Sequence, residues 1–125
     1  MTFEEFDKHQ EGIIAIINKL GSTKGVEYAH SSERFANFNR LAEDLETSRL
    51  TIAYIYAKKH WDSITSYCKG NRVYSNESIH GRIYDLILYL MLMDGMITEN
   101  EQLGDGGAYE KRKNKGAYEK RKNSL

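Results

Sequence analysis

The sequence contains no proline, only one cysteine and no long apolar run. The absence of proline removes the residue that most strongly interrupts helices. Cys68 has no second cysteine with which to form an intramolecular disulfide, so we expect a small buried thiol in a reducing, cytoplasmic environment. The longest apolar stretch, Leu86 to Met93, is far shorter than the roughly 20 residues that cross a bilayer. We therefore expect a cytoplasmic protein that has no membrane partner.

Charge is balanced overall but unevenly distributed along the 125 residues, whose formal net charge is +0. The segment GAYEKRKN occurs twice near the C-terminus, and residues 107–125 carry seven Lys or Arg against two Glu. A repeat this short cannot form its own core, so we predict a helical domain over residues 1–98 and a disordered or frayed tail over residues 99–125. A basic tail could contact nucleic acid, a protein partner or the acidic body. Alternatively, the repeat is a duplication without a selected role.

Apolar residues recur at spacings of three and four, which predicts an all-α, four-helix bundle-like domain. The predicted helices run from Thr2 to Gly21, from Ser32 to about Thr47, from Thr47 or Ser48 to Gly70, and from Asn76 to Gly95. The β-branched and aromatic residues between Leu50 and Tyr56 leave a strand open as an alternative there. In the fourth helix, the predicted core stripe consists of Ile79, Ile83, Leu86, Ile87, Leu90 and Met91.

The fourth predicted helix also carries two carboxylates, Glu77 and Asp85, about two turns apart. Charged groups rarely enter a core unless they are paired or hold a metal. Glu43 and Glu46 lie three residues apart on the second helix, and oxygen ligands on facing helices suit Mg²⁺. These four carboxylates are the candidate Mg²⁺ ligands. The alternative is that the acidic pairs lie on solvated helix faces.

The predicted connection from Gly21 to Ser31 is long for a link between helices and contains Tyr28 and His30. Loops that carry specific side chains are often functional, so both residues are candidate ligand contacts. The alternative is that Tyr28 only packs over the end of the bundle.

The end of the third predicted helix groups basic, acidic and aromatic residues. Lys59 and His60 are expected at the mouth of the bundle, where they meet an anionic ligand or face water. His60, Asp62 and His80 lack the compact spacing of a zinc site, which disfavours zinc. Cys68 has no group that would orient a nearby base, which disfavours thiol catalysis.

Three segments, KGVEYAHSSERFANFNRLAEDL, IAYIYAKKHWDSI and NESIHGRIYDLILYLMLM, together resemble the small phage and bacterial proteins called nucleotide modification associated domain 1. The last segment resembles, more distantly, the Asp-bearing helix of MazG-type all-α nucleoside triphosphate pyrophosphohydrolases. The resemblance covers roughly Lys24 to Met93. It implies a nucleotide ligand, Mg²⁺ chemistry, a host cytoplasm for a phage-encoded chain and assembly of several copies.

The resemblance holds at some positions and fails at others. The matching positions are Glu77, Ser78 and Ile79 for the E-S-I motif, Asp85 and Leu86 for the D-L motif, and Tyr89 for the Tyr. Tyr28 matches the loop D-Y, with Glu27 in place of the Asp, and Asp62 falls near the acidic position of the third helix. Gly81 replaces an Asp and Arg82 replaces a Thr, whereas a MazG-type ExxD motif ending at Asp85 needs Glu at position 82. The implied carboxylate set is incomplete, and Arg82 with His80 could instead bind a phosphate directly.

Three functional hypotheses follow. The first is a phage-type protein that binds a nucleotide or nucleotide-derived ligand without an intact catalytic set. The second is a protein-interaction module such as a phage inhibitor of a host factor, and the third is an active Mg²⁺-dependent pyrophosphohydrolase. The candidate ligand contacts are Tyr28, His30, Lys59, Asp62, His80 and Arg82. A domain this small buries a modest core alone, so we also expect a homo-oligomer.

Overall fold

The computed structural model describes residues 1–29, 33–71 and 78–104, the side chains of residues 23–29 excepted. The described residues form four helices and no strand: α1 (Phe3–Ala29), α2 (Ala36–Asp44), α3 (Arg49–Cys68) and α4 (Ile79–Gln102). The predicted all-α, four-helix architecture is confirmed. The alternative strand between Leu50 and Tyr56 is excluded, because this segment lies within α3.

Side-chain caps mark three of the helix starts. Thr2, Ser48 and Ser78 each accept a hydrogen bond from the backbone N–H three residues later, at 3.1, 3.1 and 3.0 Å. Such bonds satisfy N–H groups that have no partner within the first turn. α2 begins after Phe35 without a side-chain cap. The cap predicted at Ser32 and the one predicted at Asn76 lie outside the described residues, and Ser78 is the N-cap of α4.

The glycines predicted to end the first and fourth helices lie inside them instead. A Cβ atom on Gly21 would be 3.2 Å from Leu88 Cδ1, and one on Gly95 would be 3.2 Å from Phe35 Cζ. Both distances are shorter than ordinary van der Waals contact, so each glycine lets a neighbouring side chain approach the helix backbone closely. The predicted stops at Gly21 and Gly95 were wrong because these glycines serve packing between elements.

The longer helices correct two predicted segments. The predicted loop from Gly21 to Ser31 is helical as far as Ala29, so Tyr28 lies on α1 and not on a loop. The predicted domain boundary after residue 98 falls inside α4, which continues to Gln102. The duplicated segment of the tail lies beyond residue 104 and outside the described residues.

The core lies where α2 covers an antiparallel pair formed by α3 and α4. Its buried members are Phe35, Phe38, Ala42, Ile52, Ala53, Leu92 and Met96. The predicted core stripe of α4 was wrong in its second half, because Leu90 and Met91 are 54% and 51% exposed. α4 is apolar around most of its circumference, so its sequence period does not determine which side is buried.

Arg49 closes one end of this core and is only 5% exposed. Its guanidinium donates to Glu99 Oε1 at 3.0 Å, to Asn100 Oδ1 at 2.8 Å and to the Met96 carbonyl at 3.4 Å. It also lies over the Phe35 ring, 5.2 Å from the centroid. These contacts join the start of α3 to the end of α4 and offset the desolvation of the buried charge.

Two further expectations concern the surface. Cys68, expected to be buried, is exposed at the end of α3. Within the described ranges, no helix combines the length and the apolar character that crossing a membrane requires.

Candidate functional site

A second polar contact between α3 and α4 lies away from Arg49, towards the other end of the helix pair. His60 Nδ1 lies 3.9 Å from Asp85 Oδ2, and the two side chains are only 12% and 18% exposed. The His60 ring stacks on Tyr89, with 5.4 Å between the centroids and an interplanar angle of 25°. The carboxylate of Asp85 therefore points from α4 towards α3, beside a histidine whose orientation is held by an aromatic ring.

Tyr89 is the centre of an aromatic stack that joins this polar end to the core. Its ring stacks on Tyr56 at 5.9 Å and 20°. Phe38 meets both tyrosines edge-on, with centroid distances of 6.3 and 6.4 Å. Aromatic pairs favour these offset and edge-to-face arrangements. The stack positions His60 and Tyr89 rigidly between α2, α3 and α4.

Arg34 precedes α2 and is half-buried. Burial lowers the pKa of its guanidinium, while the nearby Tyr89 and Glu33 raise it by less. Among the described residues, Glu33 is the carboxylate that acts on this guanidinium, and its effect on the pKa is smaller than that of burial. A partly desolvated cation whose neighbours offset the burial only in part is stabilised further when an anion joins it.

A cavity of about 260 Å³ opens beside Arg34, between α1 and α4. Its polar lining comes from Arg34, Asn18 and Ser22, and its apolar lining comes from Ile17, Phe35, Leu88, Met91 and Leu92. The Ser22 hydroxyl donates to the Asn18 carbonyl at 3.0 Å, which fixes it against the α1 backbone. A few polar groups in an apolar cavity are typical of small-molecule sites.

Three of the predicted ligand contacts lie away from this cavity. Lys59 and Asp62 are exposed on α3, and Asp62 accepts a short hydrogen bond from Lys58 one turn earlier. That bond raises the pKa of Lys58. His80 is exposed at the start of α4, where its ring is tilted against Tyr84 at 6.3 Å. The structure does not bring these residues together with Arg34.

Of the other three predicted ligand contacts, the structure describes the side chain of Arg82 alone. Arg82 is partly buried and lies three residues before Asp85 and seven before Tyr89, which places all three on one face of α4. The side chain of Tyr28 and all of His30 lie outside the described residues.

The predicted metal ligands are distributed over both ends of the bundle. Glu43 and Glu46 are exposed at the end of α2, close in sequence to Arg49. Arg49 pairs with Glu99, which lies 14 residues or about 21 Å along α4 from Asp85. Glu43 and Glu46 therefore do not meet Asp85.

Glu77, the fourth predicted metal ligand, lies outside the described residues. Within the part of the chain that the structure describes, no three His, Cys, Asp or Glu residues form a group that could hold a metal ion. The described carboxylates do not assemble the predicted Mg²⁺ site.

Sequence reasoning missed Arg34, although a signal was present. Arg34 stands four residues before Phe38 and seven before Leu41, so it occupies a position in the apolar stripe of the second helix. A cation at such a position marks a charge that folding carries towards the core. His60 likewise lies four residues from an aromatic residue on the same helix face, Tyr56 of α3.

Comparisons of the chain with protein-family models, with curated proteins and with solved structures each found no match. The resemblance to nucleotide modification associated domain 1 proteins, which covers roughly Lys24 to Met93, stays a prediction.

Proposed function

We propose that the protein binds a small phosphate-bearing ligand, a nucleotide or a nucleotide-derived molecule, in the cavity beside Arg34. The observation that carries this proposal is the half-buried Arg34 guanidinium, which lines the cavity and whose lost hydration the nearby Tyr89 and Glu33 offset only in part. A phosphate would add negative charge beside this cation, and the planar guanidinium can donate two parallel hydrogen bonds to it.

The cavity accommodates part of such a ligand. Its volume of about 260 Å³ is slightly below the range of roughly 300–1,000 Å³ that is usual for small-molecule sites. A base or sugar would contact Leu88 and Met91 on the apolar side, while the remainder of the ligand would extend out of the cavity. The resemblance to nucleotide modification associated domain 1 proteins favours a nucleotide over other phosphate esters.

Binding is favoured over pyrophosphate hydrolysis by the arrangement of the carboxylates. Hydrolysis of the MazG type needs several carboxylates on one Mg²⁺ ion, which bridges them to the phosphates. Glu43 and Glu46 lie at the Arg49 end of the bundle, away from Asp85. Arg82 also stands where the MazG motif has a glutamate. We therefore place an Mg²⁺-dependent hydrolase third among the functions, after binding and protein interaction.

The test is titration calorimetry with a panel of nucleotides, with and without Mg²⁺, on the wild-type chain and the Arg34→Met variant. Losing hydrogen bonds between a charged group and phosphate should weaken binding by roughly 10- to 100-fold. Because Arg34 is a partly desolvated cation, its removal should leave the melting temperature of the unliganded chain unchanged or higher. A residue with a purely structural role would give the opposite thermal result.

Lys59→Met provides the matched control, because it removes an exposed cation from α3. Its nucleotide affinity should equal that of the wild type. If Arg34→Met binds as tightly as Lys59→Met, or if no nucleotide binds to the wild type, the proposal is refuted. Release of pyrophosphate that Asp85→Asn abolishes would instead favour the hydrolase.

A protein-interaction function is the second candidate, and exposed apolar side chains favour it. Tyr54, Trp61 and Leu90 are all more than half exposed. They border a groove of about 400 Å³ between α3 and α4, here called the Trp61 groove, whose lining is Tyr54, Ala57, Lys58, Trp61, Leu86, Leu90 and Met93. Apolar patches of this kind often mark interaction sites. Partner binding there should be lost in Leu90→Asp and retained in Arg34→Met.

A further inference from the structure

The first half of α1 makes little contact with the rest of the described chain. Residues 1–12 are all exposed, and Phe3 and Phe6 are 94% and 53% exposed. The two rings are three residues apart and therefore lie on one face of the helix. Through Ile13 this face continues to Ile17, which is buried in the bundle. An apolar stripe that begins in the core thus extends onto a helical segment that the described residues of this copy do not cover.

The Trp61 groove matches a two-turn apolar helix face in shape. On α4 its residues Leu86, Leu90 and Met93 are spaced by four and three, and on α3 Tyr54 and Trp61 are seven apart. The groove therefore follows the two helices for about 10 Å. Grooves between two helices commonly receive an amphipathic helix whose anchors are spaced by three and four.

We infer that the Trp61 groove binds the N-terminal half of α1 from a second copy of this chain, with Phe3 and Phe6 as the anchors. This inference rests on the interaction candidate and not on the anion site. The Arg34 cavity faces α1 through Leu88, whereas Leu90 of the groove lies about 200° further around α4.

The same geometry excludes the α1 of the same copy as the occupant. α1 is one continuous helix from Phe3 to Ala29, anchored where Gly21 approaches Leu88. Leu88 and Leu90 lie on opposite sides of α4, so an unbroken α1 held at Leu88 cannot also lie against Leu90. Only the α1 of another copy is free to enter the groove.

Charge favours this arrangement over direct pairing of two α1 helices. The start of α1 carries Glu4, Glu5 and Asp7 beside the phenylalanines, and Lys58 borders the groove. Lys58 is paired with Asp62, so this border of the groove carries a neutral pair and does not repel the carboxylates of α1. Pairing two α1 starts would instead bring like charges together, which is unfavourable.

A twofold dimer would form the contact twice, once in each direction. A buried aromatic side chain covers roughly 150–250 Å². If the exposed parts of Phe3, Phe6, Tyr54 and Trp61 are all covered, two contacts bury on the order of 1,200 Å², once adjoining apolar side chains are included. This area reaches the lower end of the range for specific interfaces.

Trp61 is the only tryptophan of the chain, so its fluorescence reports on the groove directly. Sedimentation velocity and Trp61 emission would be followed over a dilution series of the full chain. The wild type should form a dimer with blue-shifted emission, and the emission should shift to the red as the dimer dissociates. The Phe3→Ser/Phe6→Ser variant should raise the dimer dissociation constant by roughly 100-fold or more and keep red emission throughout.

Leu45→Ser is the matched control, because Leu45 is 64% exposed and lies in neither surface. It should dimerise as the wild type does. A mixing experiment tests whether α1 of one copy contacts the groove of the other. Leu90→Asp disrupts the groove and retains the apolar face of α1, whereas Phe3→Ser/Phe6→Ser removes that face and retains the groove. Mixing these two variants should restore one of the two contacts and give a heterodimer with half the emission change.

Four results would overturn the inference. They are a wild-type chain that is monomeric at the highest concentration, a dimer whose dissociation leaves Trp61 emission unchanged, a mixture of the two variants that associates no more than either variant alone at the highest concentration, and blue-shifted emission in a chain that sediments as a monomer. The last would mean that another segment of the same copy fills the groove. Arg34-dependent nucleotide binding is measured separately and is unaffected by any of these results.

Discussion

Replacing Arg49 with methionine should destabilise the fold substantially. The change removes the donors to Asn100 and Met96 and leaves the Asn100 oxygen, in a side chain that is 9% exposed, without its partner. An unsatisfied buried polar group costs about 1–3 kcal/mol. Loss of the contact with the Phe35 ring adds about 1 kcal/mol. The side chain of Glu99 is 42% exposed and regains water, so it adds little.

The balance is a loss of about 2–3 kcal/mol, because the methionine recovers part of the packing without the desolvation cost of a cation. Urea unfolding followed by circular dichroism measures this difference, and the melting temperature should fall by roughly 10–20 °C. Lys59→Met, the same exchange at an exposed site of α3, should stay within about 0.5 kcal/mol of the wild type.

A double-mutant cycle tests the hydrogen bond between Arg49 and Asn100 directly. Asn100→Leu alone leaves the buried Arg49 cation short of an acceptor and should also destabilise. The double variant Arg49→Met/Asn100→Leu removes both polar partners, so it should cost at least about 1 kcal/mol less than the two single changes added together. Additive costs, or a single Arg49→Met variant as stable as the wild type, would refute the role assigned to these hydrogen bonds.

Two further predictions concern single positions. Gly95→Ala should destabilise the fold by about 1 kcal/mol, because the new Cβ atom meets the tightly held Phe35 ring. Gly12→Ala has open space around the new Cβ atom and should stabilise the fold by about 1 kcal/mol. Thermal unfolding compares the two variants, and equal shifts in melting temperature would contradict the packing role of Gly95. Ser48→Ala and Ser78→Ala should each lower the free energy of unfolding in urea by about 1 kcal/mol, because each removes an N-cap. Ser→Gly at these positions should cost only a few tenths of a kcal/mol. If Ser→Gly costs as much as Ser→Ala, the N-cap role of these serines is contradicted.

Features that depend on neighbouring residues could be predicted from the sequence. The four helices follow from apolar spacing, and the Ser48 cap needs only the backbone three residues ahead. The continuation of α1 past Gly21 and of α4 past Gly95 could not be predicted. A glycine that ends a helix and a glycine that lets a distant side chain approach look identical in the sequence. Only the positions of Leu88 and Phe35 in the folded chain distinguish the two.

Part of the candidate site could also be predicted from the sequence, where the signal lies in neighbouring residues. Asp85 attracted attention because a carboxylate within an apolar helix is unusual, and the structure places it beside His60. Glu43 and Glu46 also suggested metal binding, yet the sequence does not say which end of α2 lies near which end of α4. The position of Arg34 in the stripe of Phe38 indicates a charge near the core, but only the folded chain shows that this charge lines a cavity.

The polar contacts at the two ends of the α3–α4 pair also fix the register of the two helices. Arg49 meets Asn100 at one end and His60 approaches Asp85 at the other, while the layers between them are apolar and tolerate sliding. A shift of one turn would break both polar contacts at once and leave the buried Arg49 cation without its Asn100 and Glu99 partners, at a cost of several kcal/mol. The alignment therefore does not depend on the segment that joins the two helices, and changes in the length of that segment should leave the paired helices in the same register.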